Sequence, residues 1–161
     1  MQLNSYPDDV HGRSVLTIEA DALEVAAGEL FVSGGHFVLA IAADTRGEEG
    51  ARLVDAAAGF LRRGASYVCC WGPDCSRLHD CFDEADRLVN GESSAARVLM
   101  TTWHEDEPWE EALWFALNST VPALAYEATT RTVVAVSIAN PGWAHRAQEY
   151  LASGAPMPDV A

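Results

Sequence analysis

A chain of 161 residues, 49% hydrophobic and 21% charged, is of a size to bury roughly two thirds of its unfolded surface within one domain. Twenty-four acids stand against ten arginines and no lysine, for a net charge of −14. That balance repels phosphate backbones and anionic lipid surfaces, which argues against nucleic-acid and membrane partners. No apolar stretch approaches the ~20 residues of a membrane span. The opening segment, Met1 to Asp9, has neither a basic nor an apolar stretch of the secretory kind, so a cytoplasmic protein is expected. The missing lysine and the many alanines read as the imprint of a GC-rich bacterial genome.

Residues 1–35 carry the weakest pattern. Val15 to Ile18 reads as an edge strand and Asp21 to Phe31 as a short helix with Leu23, Val25, Ala26 and Leu30 inward. From Phe37 the rhythm sharpens. Phe37 to Ala43 is a continuous apolar run, as expected of a strand covered on both faces. Thr45 and Glu48 form a capping-box pattern ahead of Leu53, Val54, Ala57, Ala58 and Leu61 at helical spacing, and Gly64 closes that helix. A second strand follows at Tyr67 to Trp71. Asp74 is a candidate N-cap for a helix whose stripe is Leu78, Cys81, Phe82, Ala85, Leu88 and Val89, ending at Asn90-Gly91. After a Ser-rich turn, Val98 to Trp103 reads as the third strand. Pro108 fits the first turn of the next helix, with Asp106 or Glu107 as cap and Glu110 and Glu111 favouring its dipole. The fourth strand runs from Thr132 to Ala139, and Asn140 caps a last helix begun by Pro141. Residues 154–161 read as a loose tail.

Strands alternating with helices predict an α/β fold, a three-layer parallel sheet of four to five strands, flavodoxin-like or Rossmann-like, spanning residues 1–161 as a single domain. All four strand-end turns then lie on one edge, where open α/β sheets bind ligands.

On that edge Cys75 is a candidate nucleophile, because a helix N-terminus stabilises a thiolate. His104 or His79 would serve as its base, with Asp44, Asp74 or Asn140 orienting the imidazole. The competing reading is burial, since Cys75 shares the line of Leu78 and Phe82. Cys69, Cys70 and Cys81 read as reduced, buried thiols. Cys75, His79 and His104 would also make a metal set, yet the usual metal-ligand spacings are absent and no metal is expected. The acids from Glu105 to Glu111, with Asp44, would suit magnesium; helix capping and solvation account for them without any ligand. No Gly-x-Gly-x-x-Gly, P-loop or Gly-x-Ser-x-Gly pattern occurs, and lysine chemistry is impossible, so no cofactor is expected.

Trp71, Trp103 and Trp143 either close the rim of the sheet or line a groove. With His104, Glu105, Asp106, Glu107, Trp109 and Asn140 they form the candidate binding surface, Trp109 being read as an exposed interface anchor among acids. The leading expectation is a small acidic protein-binding domain of the immunity, adaptor or regulatory type, non-catalytic, with a basic protein partner. The alternatives are a cysteine-dependent hydrolase or acyl-transfer enzyme, and a small-ligand sensor at the same edge.

Overall fold

The apolar runs become the centre of a six-stranded sheet. In the computed structural model, which describes residues 1–10, 12–92 and 95–159 (residues 6–10 by their backbone), the strands are β1 Gln2–Val10, β2 Arg13–Ala20, β3 His36–Ala42, β4 Ala65–Trp71, β5 Met100–His104 and β6 Thr130–Ile138. Their order is β1-β2-β6-β3-β4-β5. All neighbours pair in parallel except β1, which runs antiparallel to β2. The strand count therefore exceeds the four to five expected. Val15 to Ile18 is not at the edge, because β1 covers it. The order of the parallel strands is neither the Rossmann nor the flavodoxin one: β6, the last strand made, sits between β2 and β3.

The helices are α1 Leu23–Glu29, α2 Gly50–Arg62, α3 Cys75–Asn90, α4 Trp109–Asn118, α5 Leu124–Glu127 and α6 Pro141–Ala152. Helices α1, α2 and α3 bury Ala26, Leu53, Phe60, Leu78 and Phe82 against one face of the sheet. Helices α4 and α6 bury Trp109, Leu113, Ala147 and Leu151 against the other. β3 and β4 are consequently buried on both faces, which is why their residues are apolar without alternation.

Several local expectations are corrected. Thr45 does not cap α2; its buried hydroxyl donates to the Asp74 carbonyl at 3.1 Å, tying the turn after β3 to the turn after β4, and Glu49 occupies the cap position. Asp74 precedes α3 in the left-handed conformation, φ 60°, with no side-chain capping bond. Pro108, rather than Asp106 or Glu107, is the residue before α4. Leu88 is 70% exposed, off the buried stripe. Asn140 caps as expected, its side-chain oxygen accepting from the Trp143 N–H at 3.1 Å. The tail is anchored rather than loose at its start: Ala155 is fully buried and the Tyr150 hydroxyl donates to the Pro156 carbonyl at 2.7 Å. Residues 93 and 94 of the Ser-rich turn, and 160 and 161 of the tail, lie outside the described residues. Among the described residues no helix is long and apolar enough to cross a membrane.

Candidate functional site

The loops after β2, β3 and β4 lead to helices on one face of the sheet, and those after β5 and β6 to helices on the other. Adjacent loops therefore diverge on both sides of β6 and again between β4 and β5, and such divergence leaves crevices at the carboxyl ends of strands. Cavities lie at both places. One, of about 430 Å³, is lined from three strand ends: Asp21 and Glu24 beyond β2, Asp44, Arg46 and Glu48 beyond β3, and Asn140 and Trp143 beyond β6. The other, of about 480 Å³, is lined by Trp71, Asp74, His104, Glu105, Asp106, Glu107 and Trp143. Trp143 borders both.

Eight acids line the two crevices against two arginines, and both arginines are already engaged. Arg46 grips Asp44, with its Nη2 2.6 Å from Oδ2, and these hydrogen bonds hold the Asp44 carboxyl below its ordinary range. Arg52 holds Glu24 at 2.6 Å. The crevice between β4 and β5 has no arginine in its lining.

The second crevice rests on aromatic packing. Trp71 stands edge-on to Trp143 at 5.3 Å and tilted against Trp109 at 5.4 Å. Its indole N–H donates to the Glu107 carbonyl at 2.8 Å, fixing the loop that carries the acids. Arg146 lies over the Trp71 ring and makes two hydrogen bonds to Glu110, at 2.9 and 2.6 Å. The Arg146 hydrogen bonds depress the Glu110 carboxyl, against the opposing effect of burial. A depressed carboxylate contributes stability that is present above its unfolded pKa and is lost as pH falls through the lower folded value. Arg146→Met should therefore cost at most about 1 kcal/mol near neutrality, since the pair is partly solvated, and the gap to the parent should close below about pH 4. Urea midpoints measured across that range check this; a gap that stays constant would assign the loss to packing on Trp71.

The residues considered for nucleophilic catalysis are placed apart in their hydrogen bonding. Cys75 is fully buried among the α3 core side chains. Burial pushes its thiol up, partly offset by backbone hydrogen bonding at His104. Both ring nitrogens of His104 are taken: Nδ1 by the Glu107 carboxylate, and Nε2 by the Thr102 hydroxyl at 3.0 Å. His79 bonds Asp80 and Thr101, and Asp44 is committed to Arg46. Among the described residues no hydrogen bond or ion pair joins Cys75 to an imidazole, and at its thiol desolvation outweighs the backbone hydrogen bonds that favour the thiolate. Cys69 is pushed up to about 12 by burial, and Cys70 and Cys81 are raised by burial as well. All four thiols should resist iodoacetamide in the native protein, at least ~100-fold more than in urea, because reaction must wait for opening. Rapid labelling of Cys75 alone, read by mass spectrometry at pH 7, would restore the nucleophile.

The candidate binding surface divides. Trp71, His104, Glu105, Asp106, Glu107 and Trp143 come together at the second crevice, and Asn140 with Trp143 at the first. Trp109 is not exposed; it is wholly buried under Trp71 and belongs to the core. Trp103, 51% exposed, turns to the α3 side of β5 and packs against His79. Sequence reasoning missed Asp21, Glu24, Glu48, Arg46 and Arg52. The signal that would have found them is their position just past a strand end or at the first turn of the next helix, once the order of β2, β6 and β3 is known.

Residues 15–154, from β2 through α6 and including both crevices, match the family described as "Domain of unknown function (DUF7684)". The chain belongs to this family. The matched span leaves out all of β1 and the first two residues of β2. No curated protein and no solved structure is significantly similar to the chain.

Proposed function

We propose that this chain is a non-catalytic protein-binding domain, of the immunity, adaptor or regulatory type, whose strand-end edge docks a basic protein partner. The observation that carries the reading is the charge of the two crevices: eight acids, with both arginines already neutralised within the lining. Such a surface attracts cationic side chains, speeds their encounter and repels acidic competitors. The indoles of Trp71 and Trp143 supply apolar contact within the acidic rim. A cytoplasmic, bacterial setting belongs to this reading, and four free, buried cysteines suit a reducing compartment.

The test is affinity capture from the host at low and high salt, followed by titration of the recovered protein against the parent and an Asp74→Asn/Glu105→Gln/Asp106→Asn variant. A basic protein should be retained at low salt, and the variant should bind it about tenfold more weakly with a flatter salt dependence. Recovery of no partner at low salt, or equal binding by the variant, defeats the reading. A second reading, a sensor of a small cationic ligand, is favoured by the volume and three-sided lining of the crevice at β6. Its signature would be a change in tryptophan fluorescence with a small amine in the absence of any protein partner.

A further inference from the structure

Away from the strand-end crevices, three side chains of α3 converge with one from β5. His79 Nδ1 is 3.0 Å from Asp80 Oδ1, and His79 Nε2 is 2.9 Å from Thr101 Oγ1 and 3.7 Å from Asp83 Oδ2. The Thr101 hydroxyl also meets Asp83 Oδ1 at 2.7 Å. One potential ligand atom from each of His79, Asp80 and Asp83 lies within 4.8 Å of the others. The His79 side chain is 13% exposed, and the Trp103 indole covers it edge-on at 4.7 Å.

With a neutral imidazole these contacts are one proton short. An ionised carboxylate accepts and never donates, so the contact with Asp80 places the ring proton on Nδ1. The Thr101 hydroxyl has one proton, and Asp83 can take it only from there. In the neutral ring the Nε2 lone pair then faces the Thr101 oxygen and the Asp83 carboxylate with no positive centre between them. Either a second ring proton or a bound cation would complete the set. Two carboxylates around one imidazole favour a doubly charged ion, and imidazole with carboxylate suits zinc-class metals. The spacing agrees: ligands ~2.1 Å from a common ion are separated by roughly 3 to 3.5 Å, close to the 2.9 and 3.7 Å found here. Asp80 occupies the outer position, a carboxylate that fixes the ring through Nδ1–H.

We propose that His79 Nε2, the Asp83 carboxylate and the Thr101 hydroxyl bind a divalent transition-metal cation of the zinc class, with Asp80 as the positioning residue and water at the remaining positions. The ion joins α3 to the edge strand β5, and it is independent of the protein-docking reading. His79 and Asp83, four residues apart, present one face of the helix, and Thr101 is supplied across from the strand.

The chelator-treated full chain is titrated with Zn²⁺ by calorimetry and with Co²⁺ by visible absorption, Trp103 reporting through fluorescence quenching. One ion should bind per chain with a dissociation constant at or below about 10 μM. His79→Gln and Asp83→Asn should each weaken it at least ~100-fold, and Asp80→Asn roughly 10- to 100-fold. Trp103→Phe should abolish the quenching and leave the calorimetric affinity in place. Glu105→Gln/Asp106→Asn should bind as the parent does, which separates a built site from attraction to the acidic surface. If His79→Gln does not fold, imidazole NMR of the parent decides: Zn²⁺ should shift His79 and spare His36 and His145. Absence of saturable binding, binding that survives His79→Gln, or His79 signals that respond to pH but not to Zn²⁺ would overturn the site.

Discussion

Gly72→Ala should lower stability by about 3 kcal/mol or more, the largest loss expected from adding a single methyl group to this chain. Gly72 leaves β4 at φ +110°, in the region that L side chains avoid, and a Cβ there would collide with the backbone carbonyl of Ala43. That carbonyl cannot retreat. The Ala43 N–H donates to the Trp71 carbonyl at 3.1 Å, and the Thr45 N–H to the Pro73 carbonyl at 3.2 Å, so the turns after β3 and β4 are bound to each other. Gly47 is the matched control. It also has positive φ, +77°, but a Cβ there meets nothing within 4 Å, and Gly47→Ala should cost only about 1 kcal/mol. At this chain length the difference corresponds to several degrees in Tm. Equal losses in the two variants would refute the claim that the two turns are rigidly joined.

Trp109→Ala should cost about 3–5 kcal/mol, the range for emptying the site of a fully buried aromatic ring. Trp109→Phe should cost less than half as much, and the reason is particular to this site. Trp109 Nε1 and Thr17 Oγ1 are the two buried side-chain polar atoms without a partner among the described residues. Removing an unpaired donor recovers part of its desolvation penalty, about 1–3 kcal/mol, against the smaller cavity that phenylalanine leaves. Trp71→Phe provides the contrast, because it strips a bonded N–H from the Glu107 carbonyl. Chemical denaturation of the three variants tests the argument. A Trp109→Phe loss as large as that of Trp109→Ala would mean that the orphan N–H carries no penalty.

The sequence was most legible where burial is symmetrical. β3, β4 and β6 announce themselves through unbroken apolar runs, and α2 and α3 through their spacing, because both signals record contact with a core. β1 escaped because an edge strand carrying Pro7, Asp8 and Asp9 has no such record. Capping was less reliable than periodicity: Asn140 caps, whereas Thr45 has the right hydroxyl in the right place and spends it on a neighbouring loop. At the site, Trp71, Trp143 and the acids from Glu105 to Glu107 were visible as strand-end residues. Their division between two crevices was not, since it depends on which strands are adjacent. Trp109 was misjudged, and Cys75 was left open between nucleophile and buried side chain, for one reason: proximity to a helix terminus says nothing about how deeply that terminus is buried.

The place of β6 has a consequence for how the chain acquires its structure. β2 and β3 do not pair with each other; each pairs with β6. Until residues 130–138 are available, the native pairings are limited to β1 with β2 and β3 with β4 and β5, and the inner edges of β2 and β3 have no native partner. Sheet closure must wait for a segment more than a hundred residues downstream of β2, which makes assembly slow through its non-local pairing. It also leaves a nascent chain with two sticky edges for most of its synthesis. A ribosome-stalled chain ending before Thr130 should therefore depend on chaperones, while one extended past α6 should not.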